Sequence, residues 1–175
     1  SGGDGSADLA IIRSDSGPEG RVTLAASYAS ATSALAISLD AAEGSGGIAS
    51  TLLDLPGAPA VDLRINGQGP LNDFSADLSL DSDGRERLAG TVALMGAGSG
   101  GTRFSLDLGG DLAPLFIPEY ADFLGDALTL RASGERSPTG RITLSSMDLR
   151  ARSVTLRGKA TIAPDGLPEL IDLNG

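Results

Sequence analysis

The sequence contains neither cysteine nor histidine. Without cysteine, disulfides and thiol chemistry are excluded, and without histidine the commonest general base and a frequent metal ligand are missing. No serine has the histidine partner that a Ser-His-Asp triad requires. The sequence therefore predicts no catalytic residue, no metal site and no cofactor, and we expect a protein that is not an enzyme.

Basic charge and long apolar runs are also scarce. The chain has 13 lysine and arginine residues against 23 aspartate and glutamate residues, a net charge of −10. This excess of acidic groups argues against nucleic acid as a partner and against electrostatic docking to anionic lipid headgroups. No apolar run approaches the roughly 18 residues that a membrane-spanning helix needs, and no signal peptide is recognisable.

Aromatic residues make up only 3% of the chain, whereas apolar residues of all kinds make up 41% and are mostly leucine, alanine and isoleucine. That content is too apolar for a disordered polypeptide, and 175 residues suffice for one domain with a sizeable core. The opening SGGDGSADL is typical of the middle of a longer protein. We therefore expect residues 1–175 to form a single segment of a larger chain.

The apolar residues alternate with polar ones, most clearly between Val61 and Leu94. Three runs in this stretch have a period of two and are separated by the turn formers GQGPLND and DSDGR. Such a period indicates a strand with one apolar face and one polar face. Similar runs recur near residues 7–13, 21–28, 35–41, 103–108, 128–132, 142–149, 154–162 and 167–175.

The links between these runs are mostly too short for parallel crossovers, so the sequence predicts an all-β antiparallel meander of ten or eleven strands. The apolar phase slips by one residue near Ser145 and Ser146, because Ile142 and Leu144 are followed by Met147. A slip of this kind predicts a β-bulge or a break in the strand.

Two segments depart from the period of two and predict short helical inserts. Residues 47–55 place apolar residues at helical spacing, and residues 111–124 begin with Asp111, a residue that favours helix capping. We expect both inserts to lie over the apolar face or to plug one end of it. The candidate plug residues are Leu52, Leu55, Phe116, Tyr120, Phe123 and Leu124.

Several polar motifs could in principle form functional sites. Carboxylates such as Asp62, Asp77 and Asp107 lie on the polar phase of their strands and face water, so they lack the burial that a glycosidase acid needs. The segment DSDGRE at residues 81–86 superficially resembles a calcium loop, but its glycine comes fourth and strands flank it, which favours a hairpin turn. The apolar face fits either a closed, packed core or an open groove for an apolar ligand.

Three segments resemble the TamB family, whose members are inner-membrane subunits of the translocation and assembly module of Gram-negative bacteria. IASTLLDLPGAPAVDLRINGQGPLNDFSADLSL is similar to the recurring helix–turn–strand unit of that family, and RERLAGTVAL continues it. GGDLAPLFIPEYADFLG is similar to a helical insert of the large alphaproteobacterial members. The likeness covers residues 44–135 well and the remaining chain more loosely.

The resemblance implies a β-taco, a long antiparallel sheet folded into an open groove with an apolar interior. It implies a periplasmic location, an N-terminal inner-membrane anchor outside residues 1–175, and partnership with the outer-membrane barrel protein TamA through other regions. The implied groove lining is Val61, Leu63, Ile65, Phe74, Leu78, Leu80, Leu88, Val92, Leu94, Phe104, Leu106, Leu108, Leu128, Leu130, Ile142, Leu144, Val154, Leu156 and Ile162.

On this basis we expect a segment that shelters phospholipid acyl chains during transport between the two membranes and so supports outer-membrane biogenesis. An alternative function is a chaperone-like or structural module that assists insertion of outer-membrane β-barrel or autotransporter proteins, with client strands adding to a sheet edge. A third possibility is a closed β-sandwich domain for carbohydrate binding or adhesion.

Overall fold

The computed structural model describes residues 3–98 and 100–175, and in these residues eleven strands form one open antiparallel sheet. Each strand pairs with its neighbours in sequence, so β1 and β11 are the outermost strands. This confirms the predicted antiparallel meander. The strands are β1 Gly5–Ile12, β2 Gly20–Ala29, β3 Ala34–Glu43, β4 Val61–Pro70, β5 Asp73–Ser82, β6 Arg85–Gly96, β7 Thr102–Gly110, β8 Leu128–Arg136, β9 Ile142–Arg150, β10 Thr155–Ile162 and β11 Pro168–Asn174.

The strand register aligns the apolar residues of consecutive strands. Residues that pair directly across a ladder face the same side of the sheet, so each pairing extends a row across the strands. One such row, the central apolar row, crosses ten strands with a single glycine in it. Its members are Leu9, Leu24, Leu39, Ile65, Leu78, Gly90, Leu108, Leu130, Leu149 and Leu156. The side of the sheet that carries this row is called the apolar face below.

The predicted slip in β9 is a β-bulge. Ser133 of β8 pairs with Ser146, whereas the next residue, Gly134, pairs with Leu144, so Ser145 is the extra residue. The bulge returns both Leu144 and Met147 to the apolar face although their numbers differ by three. The phase slip in the sequence therefore corresponds to the β-bulge at Ser145.

Ion pairs join neighbouring strands on the polar face. Arg64 of β4 lies 3.1 Å from Asp81 of β5 and 3.9 Å from Asp40 of β3. Further along the sheet Arg131 of β8 lies 3.0 Å from Asp107 of β7. Exposed pairs of this kind contribute about 0.2–1 kcal/mol each, so their main effect is to favour one register over its neighbours.

The two rims of the sheet, where the strands turn back, differ in character. One rim, the turn rim, has only short connections, such as residues 30–33 and 71–72. The opposite rim, the helical rim, carries the two long connections, residues 44–60 and 111–127, alongside a tight hairpin at Asp83 and Gly84. That hairpin has φ angles of 50° and 68° at its two central residues, which are the positive values of a type I′ turn and confirm the predicted hairpin.

Both helical inserts are present but shorter than predicted. The first is α1, Ile48–Leu52, and it ends early because Asp54 adopts a left-handed φ of 50°. The second divides into a 3₁₀ turn, Ala113–Leu115, and a helix α2, Pro118–Leu124. Ile117 is extended (ψ 151°) because the residue before a proline avoids the helical region. None of the helices in the described residues is long and apolar enough to cross a membrane.

The expected capping role of Asp111 is wrong. The 3₁₀ turn begins after Leu112 and has no side-chain cap, whereas Asp111 accepts a hydrogen bond from Arg87 at 3.4 Å. Arg87 lies at a register shift between β5 and β6. The carboxylate of Asp111 therefore forms a long-range ion pair with Arg87 and does not cap the helical turn.

The chain exposes more surface than a compact protein of its size. Its accessible area is 10635 Å², whereas a folded monomer of 17.5 kDa is expected to expose about 7,900 Å². Its buried hydrophobic side chains are Phe74, Ala76 and Leu128, and most leucines in the middle of the apolar face are half-buried. Extensive contacts between described strands run only between consecutive ones, so no second layer covers this face.

Glycine at position 134 is required by a neighbouring ring. A Cβ atom there would clash with the backbone oxygen of Thr143 and lie 2.5 Å from Cζ of Phe104, so Gly134→Ala should lower the free energy of unfolding by about 1–3 kcal/mol. Chemical denaturation measures this directly. In Gly5→Ala, the matched control on β1, the new Cβ has no neighbour within 4 Å, and the change should stay within about 0.5 kcal/mol. Equal stabilities of the two variants would contradict the packing described.

Candidate functional site: the apolar face

The residues predicted to line a groove all lie on the apolar face. The ladders bring Leu63, Leu80 and Leu88 into one row, and Phe74, Leu94 and Phe104 into another. Val154 immediately precedes β10 in the same alternation. All nineteen predicted positions are buried or half-buried, although no second layer is present among the described residues. Phe74 and Leu128 are buried, and the other positions cover one another sideways and stay partly exposed.

The same face includes residues that the prediction omitted. Strands β2 and β3 contribute Val22, Leu24, Leu35, Ile37 and Leu39 to this face. The residues of β2 pair in register with β3, and those of β3 pair with β4. Their alternation is as regular as that of residues 61–94, so their place on this face could have been predicted from the sequence. Two more members, Met147 and Leu149, follow the bulge in β9 and become recognisable once the phase slip is taken into account.

Two glycines allow the phenylalanine rings of the apolar face to lie flat against the sheet. The Phe74 ring lies over Gly67 of the neighbouring strand, and the Phe104 ring lies over Gly134, because a Cβ atom at either glycine would come within 2.5 Å of the ring. Each ring therefore lies along the sheet instead of standing away from it. The result is a continuous aliphatic and aromatic surface.

Polar groups border this face at the helical rim. Glu43 pairs with Val61 and so belongs to the apolar side of β3. Its carboxylate accepts hydrogen bonds from the backbone N–H of Ile48 and from that of Ala49, the latter at 2.6 Å. Glu43 therefore supplies the cap that Gly47 lacks at the start of α1. This placement fixes the beginning of α1 on the apolar side of the rim.

The candidate plug residues do not all pack against the sheet. Leu52 is 82% exposed and Tyr120 is 59% exposed, and Phe116 and Phe123 are also exposed. Leu55 and Leu124 are half-buried. The apolar stripe that we expected α1 to lay over the face instead points outward at Ile48 and Leu52, because the helix ends after one and a half turns.

The polar face has shallow depressions but no convergent chemistry. Two adjoining depressions of 770 and 620 Å³ share Ser6, Ser27, Ala36 and Gln68 and are lined mostly by small or neutral polar side chains. Groups of three or more acidic, histidine or cysteine side chains that could hold a metal ion are absent from the described residues. The polar side therefore offers hydration and ion pairing, and the apolar face remains the candidate functional surface.

One carboxylate on the polar face has a strongly shifted pKa. Asp148 accepts hydrogen bonds from Arg150 at 2.7 Å and from Arg157 at 3.0 Å. These bonds lower the pKa of Asp148 from 3.8 to about 2. Arg157 lies on the next strand, β10, so the shift comes from a structural link between strands in which the carboxylate stays ionised.

Comparison with known proteins does not assign a family. No protein-family model matches the chain, and neither the curated proteins nor the solved structures include a significant match.

The Asp148 cluster predicts a specific acid sensitivity. Because the folded-state pKa lies below its unfolded value of 3.8, the carboxylate stabilises the fold above that pH. Its contribution is then lost progressively as the pH falls towards about 2. Asp148→Asn should therefore flatten the decline of the urea midpoint between pH 4 and pH 2.

Asp77→Asn is the matched control for this measurement. Asp77 also lies on the polar face, and it forms no ion pair with the residues that the structure describes. Its replacement should leave the decline of the urea midpoint with acid close to that of the parent chain. A decline that is equally steep in the parent chain and in Asp148→Asn would contradict the assigned role of Asp148.

Proposed function

We propose that the chain is a non-enzymatic periplasmic segment whose apolar face shelters phospholipid acyl chains in transport between the inner and outer membranes, in support of outer-membrane biogenesis. One observation carries this proposal: the central apolar row crosses ten strands and nothing in the described residues covers it. The open sheet excludes the closed β-sandwich interpretation. The remaining question is what kind of ligand an uncovered leucine surface receives.

The energetics favour acyl chains over a tightly bound small molecule. Exposing an acyl chain to water costs about 0.8 kcal/mol for each CH₂ group. Lipid tails are as apolar as leucine, so a tail that moves from a bilayer to this face changes little in free energy. A surface that removes the cost of water without trapping the lipid suits a conduit better than a receptor.

The dimensions of the face agree with this use. Ten strands at about 4.8 Å spacing give the central apolar row a length of about 43 Å, and four rows of alternating residues give a width of about 20 Å along the strands. A lipid tail occupies half of the roughly 30 Å hydrocarbon core of a bilayer. Tails therefore fit either across the face or along it.

The cellular setting is proposed from the resemblance to the TamB family. In that setting the segment belongs to a longer protein that is anchored in the inner membrane and reaches the outer-membrane barrel protein TamA through regions outside residues 1–175. The acidic polar face, with its network of ion pairs, would be in contact with the aqueous periplasm. Phospholipid is the ligand, and nucleic acid has no place in this function.

A second function is favoured by one feature, the exposed first strand. All eight residues of β1 are exposed, and its outer edge has no partner strand within residues 3–98 and 100–175. An edge of this kind accepts an added strand through backbone hydrogen bonds. A chaperone-like module for outer-membrane β-barrel proteins would use that edge, whereas a lipid conduit uses the face.

A charge in the middle of the apolar face should abolish lipid binding. In Leu106→Asp the carboxylate would lie against the acyl chain without a partner, and we expect the affinity for a fluorescent phosphatidylethanolamine to fall about a hundredfold or more. Leu78→Asp and Val92→Asp should behave alike. Fluorescence titration measures the affinity, and circular dichroism checks the fold.

The matched control is Ser105→Asp, which adds the same charge one residue away on the polar face. This variant should bind lipid as the parent chain does. A folded Leu106→Asp protein that binds lipid normally would refute the proposal. Binding of unfolded outer-membrane protein that depends on β1 and is unaffected by Leu106→Asp would support the chaperone-like alternative instead.

A further inference from the structure

Both long connections of the sheet lie on one rim, and both expose large apolar side chains. The connection of residues 44–60 exposes Ile48, Leu52 and Leu53, and the connection of residues 111–127 exposes Phe116, Tyr120 and Phe123. We call these six side chains the apolar lip. Three of the six aromatic residues of the whole chain belong to it.

The first connection lies on the apolar side of the helical rim. Its helix starts at the carboxylate of Glu43, which belongs to the apolar side of β3. A hydrogen bond of 2.8 Å from the N–H of Gly46 to the carbonyl oxygen of Ala58 closes the connection on itself. Ser50 is fully buried, so the connection is a folded unit with a defined position.

The second connection runs directly into Leu128, one of the buried residues of the apolar face. Leu130 has leucines on both sides in its row and is only half-buried. Leu128 pairs with Gly110, which has no side chain, and yet it is only 8% exposed. Residues 111–127 lead directly into Leu128 and end beside the turn between β9 and β10. Backbone hydrogen bonds hold this connection in place, among them that from Arg152 to Leu124 at 3.0 Å.

The charge of the two connections limits what the apolar lip can receive. Residues 44–60 and 111–127 contain five acidic residues and no lysine or arginine. Two of these carboxylates are paired with arginines of the same rim, Asp111 with Arg87 and Asp126 with Arg152. The remaining acidic excess disfavours a phosphate group there. An uncharged acyl chain meets no such penalty and finds a leucine and aromatic surface continuous with the apolar face.

We propose that the apolar lip is where acyl chains pass onto and off the apolar face, and that it contacts the tails and not the phosphate group. This inference rests on the proposed function and adds to it the rim across which lipid reaches and leaves the face. Lipid moves across the helical rim and not across the turn rim, whose short connections form no cover over the face. The two helical inserts then provide a fixed apolar surface that the tails contact between the bulk lipid phase and the apolar face.

Photo-crosslinking of the full chain tests the inference. Benzoylphenylalanine is introduced at Leu52 or Tyr120 in the apolar lip, at Leu71 on the turn rim as the matched control, and at Val92 to report occupancy of the face. Leu71 is itself half exposed. Vesicles of phosphatidylcholine with radiolabelled tails serve as the probe. We expect lipid adducts at Val92, and several-fold more adduct at Leu52 and Tyr120 than at Leu71.

The outcomes separate this inference from the function on which it rests. Adducts at Val92 with equal yields at the two rims, or with a higher yield at Leu71, overturn the role of the lip and leave lipid binding intact. Crosslinked dimers in place of lipid adducts at Leu52 or Tyr120 also overturn it, since the lip would then join two copies of the chain. The absence of adducts at all four positions overturns the proposed function itself.

Transfer kinetics provide a second measurement. The double variant Leu52→Ser, Leu53→Ser removes two exposed side chains and should not disturb the fold. We expect the initial rate of lipid transfer between vesicles to fall about tenfold, the equivalent of ~1.4 kcal/mol, while the amount of lipid bound at equilibrium stays unchanged. Leu71→Ser should leave the rate as it is. An unchanged rate in the double variant overturns the inference.

Discussion

Each strand of this protein depends on the hydrogen bonds and paired side chains of its neighbouring strands, because no second layer packs on the sheet within the described residues. In a two-layer domain, a strand is also fixed by the side chains of the opposite layer. Here the ladder alone fixes it, so the register of every pair determines where every side chain lies. A slip of one residue would move a whole strand's leucines to the polar side.

Several features of the chain protect that register. Ion pairs such as Arg64 with Asp81 and Arg157 with Asp148 join adjacent strands on the polar face. The bulge at Ser145 restores the phase of β9. Gly67 and Gly134 let phenylalanine rings lie along the sheet. Together these features keep one face uniformly apolar over almost the whole width of the sheet.

The regular part of the fold was predictable from the sequence, and the helical rim was not. A period of two is a local signal, so the strands, the hairpin at Asp83 and Gly84 and the bulge in β9 all followed from it. The inserts depend on tertiary contacts, since helices this short are not stable alone. Asp111 pairs with Arg87 and does not act as a cap, and the left-handed conformation of Asp54 ends α1 early. The outward orientation of Leu52 could not be read from spacing alone.

An uncovered apolar surface of this size requires an explanation, because monomeric proteins rarely expose contiguous apolar patches larger than about 300–600 Å². The acyl ligand proposed above would account for both the lack of a second layer among the described residues and the uniform aliphatic composition. The most direct test is native mass spectrometry of the chain after it is purified from cells without detergent. Our account predicts protein peaks carrying additional masses equal to those of phospholipids. A chain that is folded, monomeric and free of lipid would contradict it.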